Sequence, residues 1–145
     1  MLPIDPGGRV LLLRGHDPAD PGHPFWFTIG GGTDPGESVA GAAARELWEE
    51  AGIAADAASL GDPVWRRATE FSFDGTRFQQ EEDYFLLRVG SDEVSFDGMD
   101  DSEKETVLGY RWLDPAELES LDEPLFPPEL PRLLRDLTSP SPGTP

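Results

Sequence analysis

Residues 31–53, GGTDPGESVAGAAARELWEEAGI, constrain this chain more than any other stretch, because they fix where one helix begins, where it ends and which way it faces. The glycines at Gly30, Gly31 and Gly32, followed by Pro35-Gly36, make a loop. Ser38 is a residue that caps helix N-termini, since its hydroxyl accepts from an otherwise orphaned backbone N–H, and Gly52 suits the left-handed conformation that stops a helix. Between them, the helical period puts Glu46, Glu49 and Glu50 within an arc of roughly 100°. Ala40, Ala43, Ala44, Leu47 and Ala51 take the other side, so one face is acidic and the other forms core.

The acidic face has an energetic cost. The C-terminal end of a helix already carries about half a negative charge, and each like-charged neighbour on the next turn adds a few tenths of a kcal/mol of repulsion. Arg45 relieves part of this through its partner one turn on, Glu49. A divalent cation would relieve the rest, and carboxylate oxygens are the ligands that Mg²⁺ or Mn²⁺ prefers. The competing reading is a solvated acidic surface, which charge pattern alone leaves standing.

The spacing of Gly31, Glu37, Arg45-Glu46-Leu47, Glu49-Glu50 and Gly52-Ile53 matches the Nudix box at every defined position, and the chain therefore resembles the Nudix hydrolases. The likeness extends upstream through Trp26 and the glycine run; elsewhere it is one of organisation. Ile29 departs from the pattern, since many members have proline before the paired glycines, and Ile29→Pro is expected to leave the fold intact. The resemblance implies an α/β (α+β) fold, a Nudix-like α/β/α sandwich with a mixed β-sheet between helices, the box helix on one face and the C-terminal helix on the other. It also implies hydrolysis of a nucleoside diphosphate linked to another moiety, with Mg²⁺ or Mn²⁺ held by Glu46, Glu49, Glu50 and the Gly30 carbonyl. A carboxylate, Glu46 or Glu103, would accept the proton of the attacking water, with Arg45 alongside. Glu37, Gly31, Gly32 and Gly52 would hold the loop and the ligands in place. Glu82 and Glu105 are further candidate carboxylates, Glu103 being preferred to Glu105. Signatures of particular Nudix substrates do not occur at their expected spacing, so the expected activity is that of a broad or house-cleaning nucleotide hydrolase. The alternative is a nucleotide-sensing domain of the same fold that binds without turnover.

The rest of the sequence narrows the choices. A length of 145 residues suits one domain, expected over residues 1–137, with a disordered tail at 138–145 rich in Pro, Ser and Thr. The absence of cysteine excludes disulfides and thiolate metal sites, and His16 and His23 are too few for most histidine-built ones. No apolar run reaches the length of a membrane span and no signal peptide is recognisable, so a cytoplasmic protein is expected, without a membrane partner. A formal net charge of −18 argues against binding nucleic acid, and a homodimer is left open. No phosphate-binding GxxxxGK[ST] loop, GxSxG elbow or HExxH helix is present.

Along the chain, Asp5-Pro6-Gly7-Gly8 predicts a tight turn, preceded by a stub of strand whose edge would be exposed if residues before it are missing. Val10 to Leu13 predicts a buried strand, Gly15 to Pro24 a loop carrying both histidines, and Phe25 to Ile29 a strand that buries Trp26. Val64 to Phe73 and Phe78 to Val89 predict a hairpin closed by Asp74-Gly75. Gly90 to Lys104 reads as an aperiodic mobile loop and Val107 to Leu113 as a strand. Asp114-Pro115 caps a short helix to Leu121, and a last helix spans about Pro128 to Leu137.

Overall fold

A computed structural model of the protein describes residues 1–30 and 32–138; Gly31 and the tail expected beyond 138 lie outside these residues. The chain runs β1 (Leu2–Ile4), β2 (Val10–Asp17), β3 (Asp20–Phe27), α1 (Val39–Ala51), β4 (Trp65–Phe73), β5 (Thr76–Tyr84), β6 (Leu86–Arg88), α2 (Asp101–Thr106), β7 (Val107–Leu113), α3 (Pro115–Glu119), β8 (Leu125–Phe126) and α4 (Leu130–Thr138), with a 3₁₀ turn at Ala57–Ser59. No helix among the described residues is long and apolar enough to cross a membrane.

β2 is the axis of a mixed sheet of six strands. It pairs antiparallel with β7 along most of its length, with β3 from Leu13 outward, and with β1 at Val10. Its run Val10-Leu11-Leu12-Leu13 is wholly buried, as expected for a strand covered on both faces. Alternation sends Leu11 and Leu13 into one core cluster with Ile29, Leu47, Ala51 and Met99, beneath α1. Val10 and Leu12 enter a second with Trp26, Leu118, Leu130 and Leu134, beneath α3 and α4. Each fully buried leucine is worth about 2 kcal/mol, so the two clusters clamp the sheet between helices. The expected sandwich is present and β7 falls where the sequence put it; α3 starts at Pro115 as expected but ends at Glu119, short of Leu121. The hairpin closes at Asp74-Gly75, but the run expected as its second strand, Phe78 to Val89, splits into β5, which pairs with β4, and β6, which pairs with β1.

Several expectations are corrected. β1 is no exposed edge: β6 pairs parallel to its far side, and Leu2 and Ile4 are fully buried. Residues 15–24 form strands rather than a loop, with His16 on β2 and His23 on β3. Proline is tolerated there because β3 pairs with β8 only at Trp26 and Phe27, leaving its outer part an edge, and an irregularity between Gly15 and Asp17 absorbs the extra residues. Residues 101–106 are helical, not a loop. α4 runs through Thr138, one residue further than expected. Ile29 is 1% exposed and sits in the first cluster, so proline there would exchange buried aliphatic packing for a smaller ring, and harmlessness is no longer expected.

Candidate active site

The site is assembled from α1 and α2. α1 begins where Ser38 accepts a hydrogen bond from the Gly41 N–H at 2.9 Å and ends at Gly52, whose φ is 68°. Gly52 is required twice over: its backbone is left-handed, and a Cβ there would lie 2.9 Å from the Cβ of Ser95. That crowding marks where the incoming chain presses on the end of α1. The Ser95 N–H donates to the Ala51 carbonyl at 2.8 Å, and a Cβ on Gly98 would meet the Glu49 carbonyl at 2.9 Å. Met99, 5% exposed, then anchors in the core. Asp100 caps α2 at once, accepting from the Glu103 N–H at 2.7 Å while the Glu103 carboxylate accepts from the Asp100 N–H at 3.3 Å. Such a reciprocal cap nucleates a helix too short to form alone. Its sequence signal, Asp100-x-x-Glu103, was available but passed over within an acidic run.

This route brings Glu103 to the acidic face of α1. Carboxylate oxygens of Glu46, Glu50 and Glu103 all lie within 4.8 Å of one another. Glu50 is 4% exposed, and its pKa is pushed up to about 10, first by burial, then by its hydrogen bond to Glu46 and the charges of Glu46 and Glu103; a backbone hydrogen bond from Gly30 opposes this. Glu103 is also raised, chiefly by burial. Without a cation, then, a proton sits between Glu50 and Glu46 near neutral pH. An all-oxygen donor set, closely spaced, with one buried carboxylate whose charge is met only by the buried Met1 amine, itself lowered to about 6 by desolvation, fits a hard divalent cation and fits a purely solvated face poorly.

Arg45 locks the arrangement. Its Nε donates to Glu37 at 2.9 Å, Nη2 to Glu37 at 3.1 Å and to the Gly32 carbonyl at 3.0 Å, and Nη1 to Glu46 at 3.0 Å and Glu49 at 3.2 Å. These bonds engage all five guanidinium N–H groups, so Arg45 positions other residues and has no donor left for a substrate. Glu37 is held below the usual carboxylate range by Arg45 first and by the Asp34 N–H second. It thereby ties the glycine loop to α1.

The remaining candidates fall outside the three-carboxylate group. Glu49 turns into the Arg45 fork, although its charge reaches Glu103. Glu82 is bound to Arg67 and accepts from the Tyr84 hydroxyl at 3.2 Å. Glu105 is exposed on the outer side of α2. A strand register or a position just before β7 gave no means to choose among these; a helix through residues 101–106 does, because it turns Glu103 and Glu105 to different sides.

Comparison with known proteins identifies the family. The family model described as NUDIX domain matches residues 1–137. A candidate 8-oxo-dGTP diphosphatase of Bacillus subtilis (strain 168) is 30% identical over 127 residues, covering 87% of this chain and 68% of its own length. An RNA pyrophosphohydrolase of Erythrobacter litoralis (strain HTCC2594) is 33% identical over 110 residues, covering 68% and 65% respectively. The crystal structure of a MutT protein from Methanosarcina mazei Go1 superposes with a TM-score of 0.65 over 95% of this chain and 91% of that one; at 22% identity the likeness is one of fold.

Proposed function

This chain belongs to the NUDIX domain family, and on that premise we propose that it is a Mg²⁺- or Mn²⁺-dependent pyrophosphohydrolase that cleaves nucleoside diphosphates linked to another moiety. The observation that carries the reading is the convergence of Glu46, Glu50 and Glu103, with Glu50 buried. Both curated relatives are named for cleavage of phosphoanhydrides on nucleotides, one on a free nucleotide and one on RNA, which supports the reaction and leaves the leaving moiety open.

Glu46, Glu50 and Glu103 would hold the cation, with the loop at Gly30 beside them. A bound divalent cation neutralises charge on phosphoryl oxygens and lowers the pKa of the attacking water. Water oxygen bonds to phosphorus, the bridging P–O bond breaks, and a carboxylate takes the water proton. Glu103 suits that last role better than Glu46: Glu46 is engaged by Arg45 and Glu50, whereas the carboxylate of Glu103 accepts from the Asp100 N–H and burial raises its affinity for a proton. Arg45 and Glu37 keep the loop and ligands in register.

A screen of nucleoside triphosphates, oxidised deoxynucleotides, dinucleoside polyphosphates, nucleotide sugars and 5′-triphosphorylated RNA, with phosphate and pyrophosphate detection, tests this. Turnover that requires Mg²⁺ or Mn²⁺ and stops on chelation is expected. Tight nucleotide binding without turnover under any metal would overturn it in favour of a sensor.

A further inference from the structure

The β4–β5 hairpin stands apart from the main sheet. It pairs only with itself, in unbroken register from Trp65↔Tyr84 to Phe73↔Thr76. It is fixed to the body at its base, where Trp65 and Tyr84 join the second core cluster, and at its tip, where the Asp74 N–H donates to Asp17 at 2.8 Å. An isolated two-stranded ribbon is marginal in water, and needs a covered apolar face to persist.

Its two faces differ in kind. One carries most of the charged residues, with Arg66 paired to Asp83 at 2.7 Å and Arg77 to Glu70 at 2.6 Å. The other has the Arg67–Glu82 ion pair next to its base and, beyond that pair, presents the uncharged residues Thr69, Phe71, Phe73, Thr76, Phe78 and Gln80. Phe71 and Phe78 stack with centroids 5.3 Å apart, and the three phenylalanines remain 40%, 36% and 40% exposed in chain order. An uncharged aromatic patch is unusual on a chain of net charge −18.

We propose that this face is an interface with a second copy of the same chain, related by a two-fold axis that sets each Phe71–Phe78 stack against its counterpart. Charge selects the occupant. Two copies repel everywhere that carboxylates face one another, so they meet most readily on a surface free of charge, and the part of this face beyond the Arg67–Glu82 pair is one. A different partner drawn to so acidic a molecule would bring cations, and the carboxylate that adjoins the patch on this face, Glu82, is already paired with Arg67. The cross-strand stack is also self-complementary, as a two-fold contact requires. Size sets the strength. The uncharged stretch takes five residues of each strand, a face about 17 Å by 10 Å, or roughly 170 Å² per copy, well below the roughly 800 Å² per partner of stable complexes. The dimer is therefore weak and reversible, forming only at high protein concentration, and salt strengthens it by screening repulsion.

The absence of cysteine makes a clean test available. Gln80→Cys places a thiol on the aromatic face, and Gln79→Cys places one on the charged face of the same strand. With a short bismaleimide at high protein concentration, Gln80→Cys should give covalent dimer at least tenfold faster than Gln79→Cys. Sedimentation velocity over a concentration series should show monomer–dimer exchange that shifts toward dimer in added NaCl. Phe78→Glu should abolish it and Ser72→Glu, on the charged face, should not. Equal cross-linking of the two cysteine variants, or a parent chain that stays monomeric to its solubility limit, would overturn the proposal and leave the face to a ligand or another protein.

Discussion

α1 and α2 both deliver carboxylates to the same small volume, but by different means. In α1 the residues do the work locally: Ser38 and Gly52 fix the ends, the helical period fixes Glu46 and Glu50 on one face, and packing of Leu47 and Ala51 fixes the rotation. α2 has six residues and no buried one. Its position is inherited from its neighbours, from Ser95 and Gly98 pressed on the end of α1 and from Met99 in the core, with the Asp100–Glu103 cap holding its first turn. In the proposed mechanism the long, anchored helix would supply two of the cation's carboxylates, and the short, borrowed one the third, which would also accept the water proton.

That contrast can be tested from the largest effect downward. Glu103→Gln should lower kcat by about 10²–10⁴-fold with little change in the fold, the range lost when a general base is removed. If the loss were under threefold, α2 would be a bystander and α1 the whole site.

Glu50→Gln should lower turnover about a hundredfold, as expected for one well-placed electrostatic group. Its stability signature has the opposite sign. In metal-free parent protein Glu50 stays protonated in the fold up to about 10, against an ordinary value of 4.5, so folding stability from this group is present at acid pH and lost progressively as pH rises between those values. Glutamine does not titrate. In chelator, the melting temperature of Glu50→Gln minus that of the parent should therefore grow from pH 5 to pH 9, and added Mg²⁺ should reverse the order by stabilising the parent more. A flat difference would mean Glu50 is not the strained group.

Arg45→Lys should cost about 10–100-fold in activity or metal affinity, because one ammonium cannot replace a fork that serves Glu37, Gly32, Glu46 and Glu49 together. Activity within twofold of the parent would show that α1 packing alone orients the ligands. The smallest effect belongs to the cap: Asp100→Ala should destabilise by about 1 kcal/mol and lower kcat several-fold, while leaving Mg²⁺-induced stabilisation mostly intact. Were Asp100→Ala as damaging as Glu103→Gln, α2 would owe its position to its cap rather than to the chain packed before it.

The legible parts of this protein are those whose signals lie within a few residues. The Asp74-Gly75 turn, with φ of 51° and 77°, needed only its own dipeptide. α3 needed only Asp114, Pro115 and Glu117. The same kind of signal was present at Asp100 and Glu103 and was masked by surrounding acids, which look alike in composition whether they cap a helix or face water. The parallel pairing of β6 with β1 left no local trace, since the partners are more than eighty residues apart. Neither did the strand character of the proline-rich stretch through His23, which depends on how little of β3 has a partner beyond β2.

By itself, then, the sequence determined the ends of α1, the spacing of Glu46 and Glu50, and the alternation that buries both faces of β2, because hydrogen-bond caps and side-chain periods act over one or two turns. Tertiary structure alone decided that Glu103 rather than Glu49, Glu82 or Glu105 completes the group, that Arg45 has no free donor, and that Glu50 holds its proton. Those outcomes depend on desolvation and on charges brought together across more than fifty residues of chain, and such energies exist only once the chain has closed on itself.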